Sequence, residues 1–167
     1  MSAAFAVGIW LKFGENSMSE IFEKTFHVGW GNVDFNGHLA NTSFLDLAVD
    51  VRMFYFAENG FSVREFQRLG FGPVVLKDEI EYFKELYMLD KVRITFQGAG
   101  LSEDASRFRI RNEFFREDGR LSARLTTNGG WIDFARRKLV APPPKLADVM
   151  KSLSKTDDFE VFESVIK

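Results

Sequence analysis

Trp30-Gly31-Asn32-Val33-Asp34-Phe35-Asn36-Gly37-His38-Leu39-Ala40-Asn41-Thr42-Ser43 runs without a break into Phe44-Leu45-Asp46-Leu47-Ala48-Val49-Asp50-Val51-Arg52-Met53-Phe54-Tyr55-Phe56-Ala57-Glu58-Asn59. The first half is a polar loop with an acid, amides, a glycine and one of the two histidines of the chain. The second half has helical character and is apolar on nearly every side. A helix of that kind is buried on most of its faces. Sixteen residues at 1.5 Å each make a rod of about 24 Å, long enough to cross a small sheet. Gly60 ends it. Asn41 and Ser43, the latter with Asp46 three residues on, are the expected N-terminal caps.

Outward from this stretch the pattern changes. Residues 21–30 alternate as a first strand, with Ile21, Glu23, Thr25 and His27 on one side and Phe22, Lys24, Phe26 and Val28 on the other. Residues 62–69 read as a short helix between a Ser62 cap and a Gly70 stop. From Val74 the period becomes two, giving expected strands at 74–86, 90–100, 105–117 and 120–135. One face of each is polar, so the sheet is antiparallel. Glu117-Asp118-Gly119 marks a hairpin. Ala141-Pro142-Pro143-Pro144 stops the sheet, and residues 141–167 are expected to form a helical tail. The expected architecture is α+β, about five antiparallel strands wrapped around one central helix. A sheet that holds a helix on one face leaves its edges for a partner, so a homodimer or homotetramer is expected.

Composition narrows the function. The chain has 167 residues, 46% apolar, with a net charge of −2 and 19 phenylalanines, which suits one globular domain with a large core. No basic tract supports nucleic-acid binding. The absence of cysteine removes disulfides, zinc–thiolate sites and a thiol nucleophile, and fits a reducing, cytoplasmic setting. Two histidines in different elements give no metal-ligand spacing. Residues 1–20 read as a peripheral extension: the apolar run 3–11 is too short to span a bilayer and has no preceding cation. Asn41-Thr42-Ser43 fits the N-glycosylation pattern, which has little meaning without a secretory route.

The order strand, Trp30-x-x-x-Asp34-x-x-Gly37-His38-x-x-Asn41, long helix and four strands resembles the hotdog-fold thioesterases. Within them it is similar to the 4-hydroxybenzoyl-CoA thioesterase-like acyl-CoA thioesterases, over about residues 21–140. Asp34-x-Asn36-x-His38 also resembles plant-type acyl-ACP thioesterases, whose later Glu-Tyr-x-x-Glu stretch is matched by Glu81-Tyr82-Phe83-Lys84-Glu85. The sequence departs from the family at Asn32, where many relatives carry an acid, and at Ala40, where many carry an asparagine.

The resemblance implies hydrolysis of an acyl-CoA or acyl-carrier-protein thioester, with coenzyme A entering only as part of the substrate. Thioester hydrolysis needs an activated water or a nucleophile, and donors for the oxyanion. Without cysteine or a Gly-x-Ser-x-Gly elbow, Asp34 is the candidate, as general base or as nucleophile. Backbone amides at Asn41, at the helix start, are the candidate oxyanion donors. Gly37 allows close approach of a substrate, His38 is a candidate hydrogen-bonding partner, Asn36 an orienting residue and Glu85 a second acid. Arg107, Arg109 and Arg111 line one strand face and read as a solvated surface. A ligand-binding hotdog protein without turnover and a hotdog dehydratase are the competing readings.

Overall fold

The computed structural model describes residues 20–164; most of the expected N-terminal extension and the last three residues lie outside them. The sheet starts with β1 (Phe22–His27). A short 3-10 turn (Trp30–Asn32) and the polar loop lead to α1 (Asn41–Glu58), then to α2 (Val63–Leu69). Four long strands follow: β2 (Phe71–Tyr82), β3 (Lys91–Ser102), β4 (Arg107–Arg116) and β5 (Leu121–Asp133). The chain closes with β6 (Leu139–Val140), α3 (Pro144–Ser152) and β7 (Lys155–Phe162). The sheet order is β1-β3-β4-β5-β2, antiparallel along that path, with β6 antiparallel on β5 and β7 parallel on β3. The expected five strands are its main path.

Helix α1 lies against the inner face of the sheet. Phe44, Leu47, Ala48, Val51, Tyr55 and Phe56 are buried from the helix; Ile94, Phe96, Ile110, Phe114, Leu125 and Trp131 are buried from the strands. Around its C-terminal half the rings interlock. Trp131 meets Phe56, Phe66, Phe71 and Phe108 at centroid separations of 5.3–6.1 Å, mostly edge to face. Such pairs contribute beyond the area they bury. The indole nitrogen donates to Ala105 O at 3.0 Å, so the ring carries no orphan donor. Gly129 makes this packing possible: a Cβ there would lie 2.5 Å from both the Phe108 ring and Val74 O.

The core also holds a cation. Arg52, 6% exposed, donates from Nε to Asn112 Oδ1 at 2.9 Å and from Nη2 to Thr127 Oγ1 at 2.7 Å. Asn112 in turn donates to Thr95 O at 2.8 Å, and the Thr127 hydroxyl donates to Asp78 on β2. Burial pushes the guanidinium down to about 10 while Asp78 pulls it back up, so it stays charged at neutral pH. Neither Arg52 nor the inward Asn112 stood out in the sequence: Arg52 sits inside an apolar run, and Asn112 lies between the charged Arg111 and Glu113.

Three expectations are corrected. Neither Asn41 nor Ser43 is the cap: Ala40 is, Asn41 is the first residue of the helix, and Ser43 is buried inside it. The second strand ends at Tyr82 rather than 86, which puts Glu85 on a connection. The C-terminal tail is not all helical. After α3, whose Val149 carbonyl accepts from the Tyr55 hydroxyl at 2.8 Å, residues 155–162 form β7, parallel to β3. The reason is the edge of β3 beyond the end of β1, which would otherwise be unpaired. Thr156, Phe159, Val161 and Phe162 suit a strand, and Gly98 and Gly100 leave room for the Phe159 and Phe162 rings. The strand also neutralises the arginine face: Arg111 is held by Asp158 through two bonds of 2.8 Å and Arg109 by Glu160 at 2.8 Å.

Trp131→Ala removes the hub of the ring cluster and should cost about 3–5 kcal/mol in urea unfolding. Phe35→Ala, at a fully exposed position, should stay within about 0.5 kcal/mol. Equal costs would contradict this account of the core.

Candidate active site

The polar loop is closed on itself by its own backbone. Val33 and Leu39 form an antiparallel bridge. Asp34 N donates to His38 O at 2.8 Å, Gly37 N to Asp34 O at 3.0 Å and Ala40 N to Asn32 O at 2.8 Å. Asn32 Oδ1 accepts from Gly29 N at 3.1 Å, so the amide that replaces an acid here organises the entry to the loop. Gly37 turns the chain with φ +77, a conformation that costs other residues about 1–2 kcal/mol.

Asp34 sits at the exposed tip of this loop. Its Oδ1 accepts from the backbone N–H of Asn36 at 2.8 Å and of His38 at 3.2 Å. Oδ2 has no hydrogen-bond partner among the described residues. One oxygen is therefore used to hold the carboxylate and the other is left to face outward. Asn36 orients Asp34 through its main chain, not its side-chain amide. The His38 imidazole likewise does not bond to Asp34. It packs edge-on against Tyr87, with centroids 4.9 Å apart.

Tyr87 belongs to the connection between β2 and β3, which backs the loop. Leu39 N donates to Leu86 O at 2.7 Å, and His38 bridges Tyr87. The connection is itself fixed: Val28 N donates to Asp90 O, Leu89 N to Val28 O, and Tyr87 N to Asp90 Oδ2, all within 3.0 Å. Glu85 is exposed on this segment. Its carbonyl accepts from Arg116 Nη1 at 2.5 Å, while its carboxylate has no partner among the described residues. The rim is apolar: Trp30 and Phe35 are 82% and 104% exposed, and Phe83, Tyr87, Met88 and Leu89 are also open.

The loop ends at the N-terminus of α1. Ala40, the N-cap, has no side-chain acceptor, so the N–H groups of Asn41 and Thr42 in the first turn have neither a cap nor an intrahelical partner. The uncapped positive end of an 18-residue helix attracts developing negative charge. The loop thus brings together Asp34, Asn36, Gly37, His38 and Asn41, and the connection adds Glu85 at its margin. Among the described residues no group of three or more His, Asp or Glu gathers in a way that could hold a metal. No helix there is long and apolar enough to cross a membrane. A broad hollow lined by Gln97, Arg111, Glu113, Arg124 and Asp158 lies on the outer sheet face, away from Asp34; in it Arg111 pairs with Asp158 and Arg124 with Glu113.

The Thioesterase-like superfamily matches residues 28–150, from the end of the first strand through most of α3, and the chain belongs to that family. No curated protein matches it in sequence. Its fold is that of several solved structures. One is the Staphylococcus aureus protein SAV2348 in complex with CoA, at TM-score 0.74 and 20% identity over 86% of this chain and 92% of that one. Another is Slr0204, a 1,4-dihydroxy-2-naphthoyl-CoA thioesterase from Synechocystis, at 0.71 and 19% over 79% and 96%. A third is a DHNA-CoA thioesterase from Staphylococcus aureus, at 0.70 and 18% over 79% and 87%. At these identities the likeness is one of fold, and it confirms the hotdog architecture.

Gly37→Ala should lower stability by about 1–2 kcal/mol through the positive φ alone. Thermal unfolding checks this, and an unchanged midpoint would contradict the loop geometry.

Proposed function

We propose that this protein hydrolyses acyl-CoA thioesters at the junction of the polar loop and α1. The observation that carries the reading is that the loop bearing the Asp34 carboxylate runs directly into the uncapped N-terminus of α1. Family membership and the fold shared with CoA thioesterases support it.

As general base, Asp34 Oδ2 takes a proton from water and the resulting hydroxide adds to the thioester carbonyl. The oxyanion accepts from the N–H groups at Asn41 and Thr42. Collapse breaks the C–S bond, and the thiolate leaves with the proton to give free acid and thiol. As nucleophile, the Asp34 carboxylate attacks the carbonyl and expels the thiolate to give a mixed anhydride, which water hydrolyses to the free acid and the regenerated carboxylate, its spare proton going to the thiolate. In either route Gly37 keeps the loop low, so that a substrate can lie across it. His38, held against Tyr87, is a donor beside the substrate, and Glu85 is an auxiliary acid at the rim. A carrier-protein thioester presents the same carbonyl and is the alternative substrate.

The active unit in this reading is a homodimer or homotetramer. β2 is the outermost strand of the main sheet, with Val75, Leu76 and Tyr82 exposed on it. A long edge strand with unpaired backbone groups is covered by pairing. Light scattering should give at least twice the 19.2 kDa of one chain; a monomer would contradict it.

Asp34→Asn should lower thiol release from acyl-CoA by about a hundredfold to ten-thousandfold. Asparagine keeps the oxygen that accepts from Asn36 and His38, so the melting temperature should hold. Glu85→Gln should lose less than about tenfold. Full activity in Asp34→Asn would remove Asp34 from the mechanism, and saturable binding of acyl-CoA without turnover by the unaltered protein would replace the hydrolase reading with that of a binding protein.

A further inference from the structure

The end of the molecule reached at the C-terminus of α1 gathers positive charge that no single stretch of sequence shows. Helix α2 carries Arg64 and Arg68, the turn between β5 and β6 carries Arg136, Arg137 and Lys138, and the first turn of α3 carries Lys145. All six are exposed. The fold joins these three elements around α2. In the β5–β6 turn, Phe134 N donates to Gly70 O at the end of α2 at 2.9 Å. Just before α2, the Phe61 ring lies under Lys145 Nζ, 5.8 Å from ring centroid to cation. Arg68 donates to both oxygens of Glu65, at 2.9 and 2.7 Å. That bond, with the added charge of Lys145, holds the Glu65 carboxyl below the usual carboxylate range. The acids on these elements, Glu65 and Asp133, already face Arg68 and Arg136. Arg64, Arg137 and Lys138 have no ion-pair partner among the described residues, although the whole chain has a net charge of −2.

The β5–β6 turn holds its cations outward on a closed frame. Asp133 Oδ1 accepts from Ala135 N at 2.9 Å and from Arg136 N at 2.7 Å. Asp133 N donates to Lys138 O, and Arg137 N to Asp133 O, both at 2.9 Å. Arg137 takes a φ of +55, which glycine adopts freely and other residues only with strain. A cation thus stands where local stability favours glycine. Apolar side chains lie among the charges: Val63, Leu69 and Phe134 are 54%, 36% and 43% exposed. Cations interleaved with exposed apolar groups fit the boundary of an anionic bilayer, where the cations meet headgroups and the apolar groups leave water.

We propose that this end of the protein docks on anionic lipid bilayers, with α2 and the β5–β6 turn against the headgroups. The 18 residues of α1 set about 27 Å between this end and the loop of Asp34, so docking leaves the candidate site open. The turn lies beyond the last β2–β5 pair, Phe71 with Asp133, at the end of the sheet and not along the β2 edge. The inference goes beyond the hydrolase reading and is tested without turnover.

The test is sedimentation of the full-length protein with vesicles of phosphatidylcholine alone and of phosphatidylcholine with phosphatidylserine. The protein should sediment with the second and not with the first, and should be released as salt rises from about 0.05 M to about 0.5 M. Arg136→Gln/Arg137→Gly/Lys138→Gln should weaken binding about a hundredfold, at about fivefold per cation. Its melting temperature should not fall, because glycine relieves the strain at position 137. Phe134→Ala should weaken binding without changing its salt dependence. Lys77→Gln/Lys91→Gln/Lys151→Gln makes the same change in net charge at exposed positions elsewhere and should bind as the unaltered protein does. No sedimentation with phosphatidylserine vesicles overturns the proposal, as does equal binding by the turn variant or an equal loss in the control variant. Retention of polyuridine RNA by the same three cations, without vesicle binding, overturns it in favour of a nucleic-acid surface.

Discussion

The burial of α1 against the sheet is the constraint from which the rest follows. Ala48 and Val51 are fully buried, and Phe44, Leu47, Tyr55 and Phe56 nearly so. A helix buried to this extent can neither slide nor roll without opening cavities or clashes. Its N-terminus is therefore a fixed point. The backbone-closed loop that carries Asp34 is attached directly to it through Ala40. Precision at the candidate site thus has its source in the core, and the loop needs only to be short and internally bonded.

The same packing explains why a charge in the core is tolerated. An unpaired buried cation would cost several kcal/mol. Arg52 instead finds Asn112 on β4 and Thr127 on β5, with the Asp78 carboxylate behind them on β2. One side chain thus bonds to two strands directly and reaches a third. These directional bonds add to the close packing in fixing the rotation of α1 about its axis.

Much of the fold was legible in the sequence because it rests on short-range pattern. The period of two in residues 91–126, the all-round apolar helix and the Ser62 and Gly70 boundaries of α2 each need only neighbouring residues to be read. Ser62 does accept from Glu65 N, and Gly70 does take the left-handed conformation. The failures are all matters of tertiary context. Residues 155–162 became a strand because β3 had a free edge, which no local pattern reveals. Ser43 was drawn into the helix because the bond from Ala40 N to Asn32 O fixed an earlier start. At the site, the motif placed Asp34, Gly37, His38 and Asn41 in one loop. It did not show that Asn36 would act through its main chain, or that Tyr87 would back His38. Arg52 left one trace, a lone cation in an apolar helix, and its partners lie 60 and 75 residues away.

The two positions at which this chain departs from the most stable local choice are instructive. Ala40 stands where Ser, Thr, Asp or Asn would stabilise the helix start by about 1 kcal/mol. Arg52 stands where an apolar residue would avoid burying a charge. Departures of this kind mark places where something other than stability is being satisfied. Here they lie about three helical turns apart, one at the start of α1 and the other buried within it. An uncapped helix start suits developing negative charge, and a buried guanidinium suits directional bonds that hold the helix to the sheet.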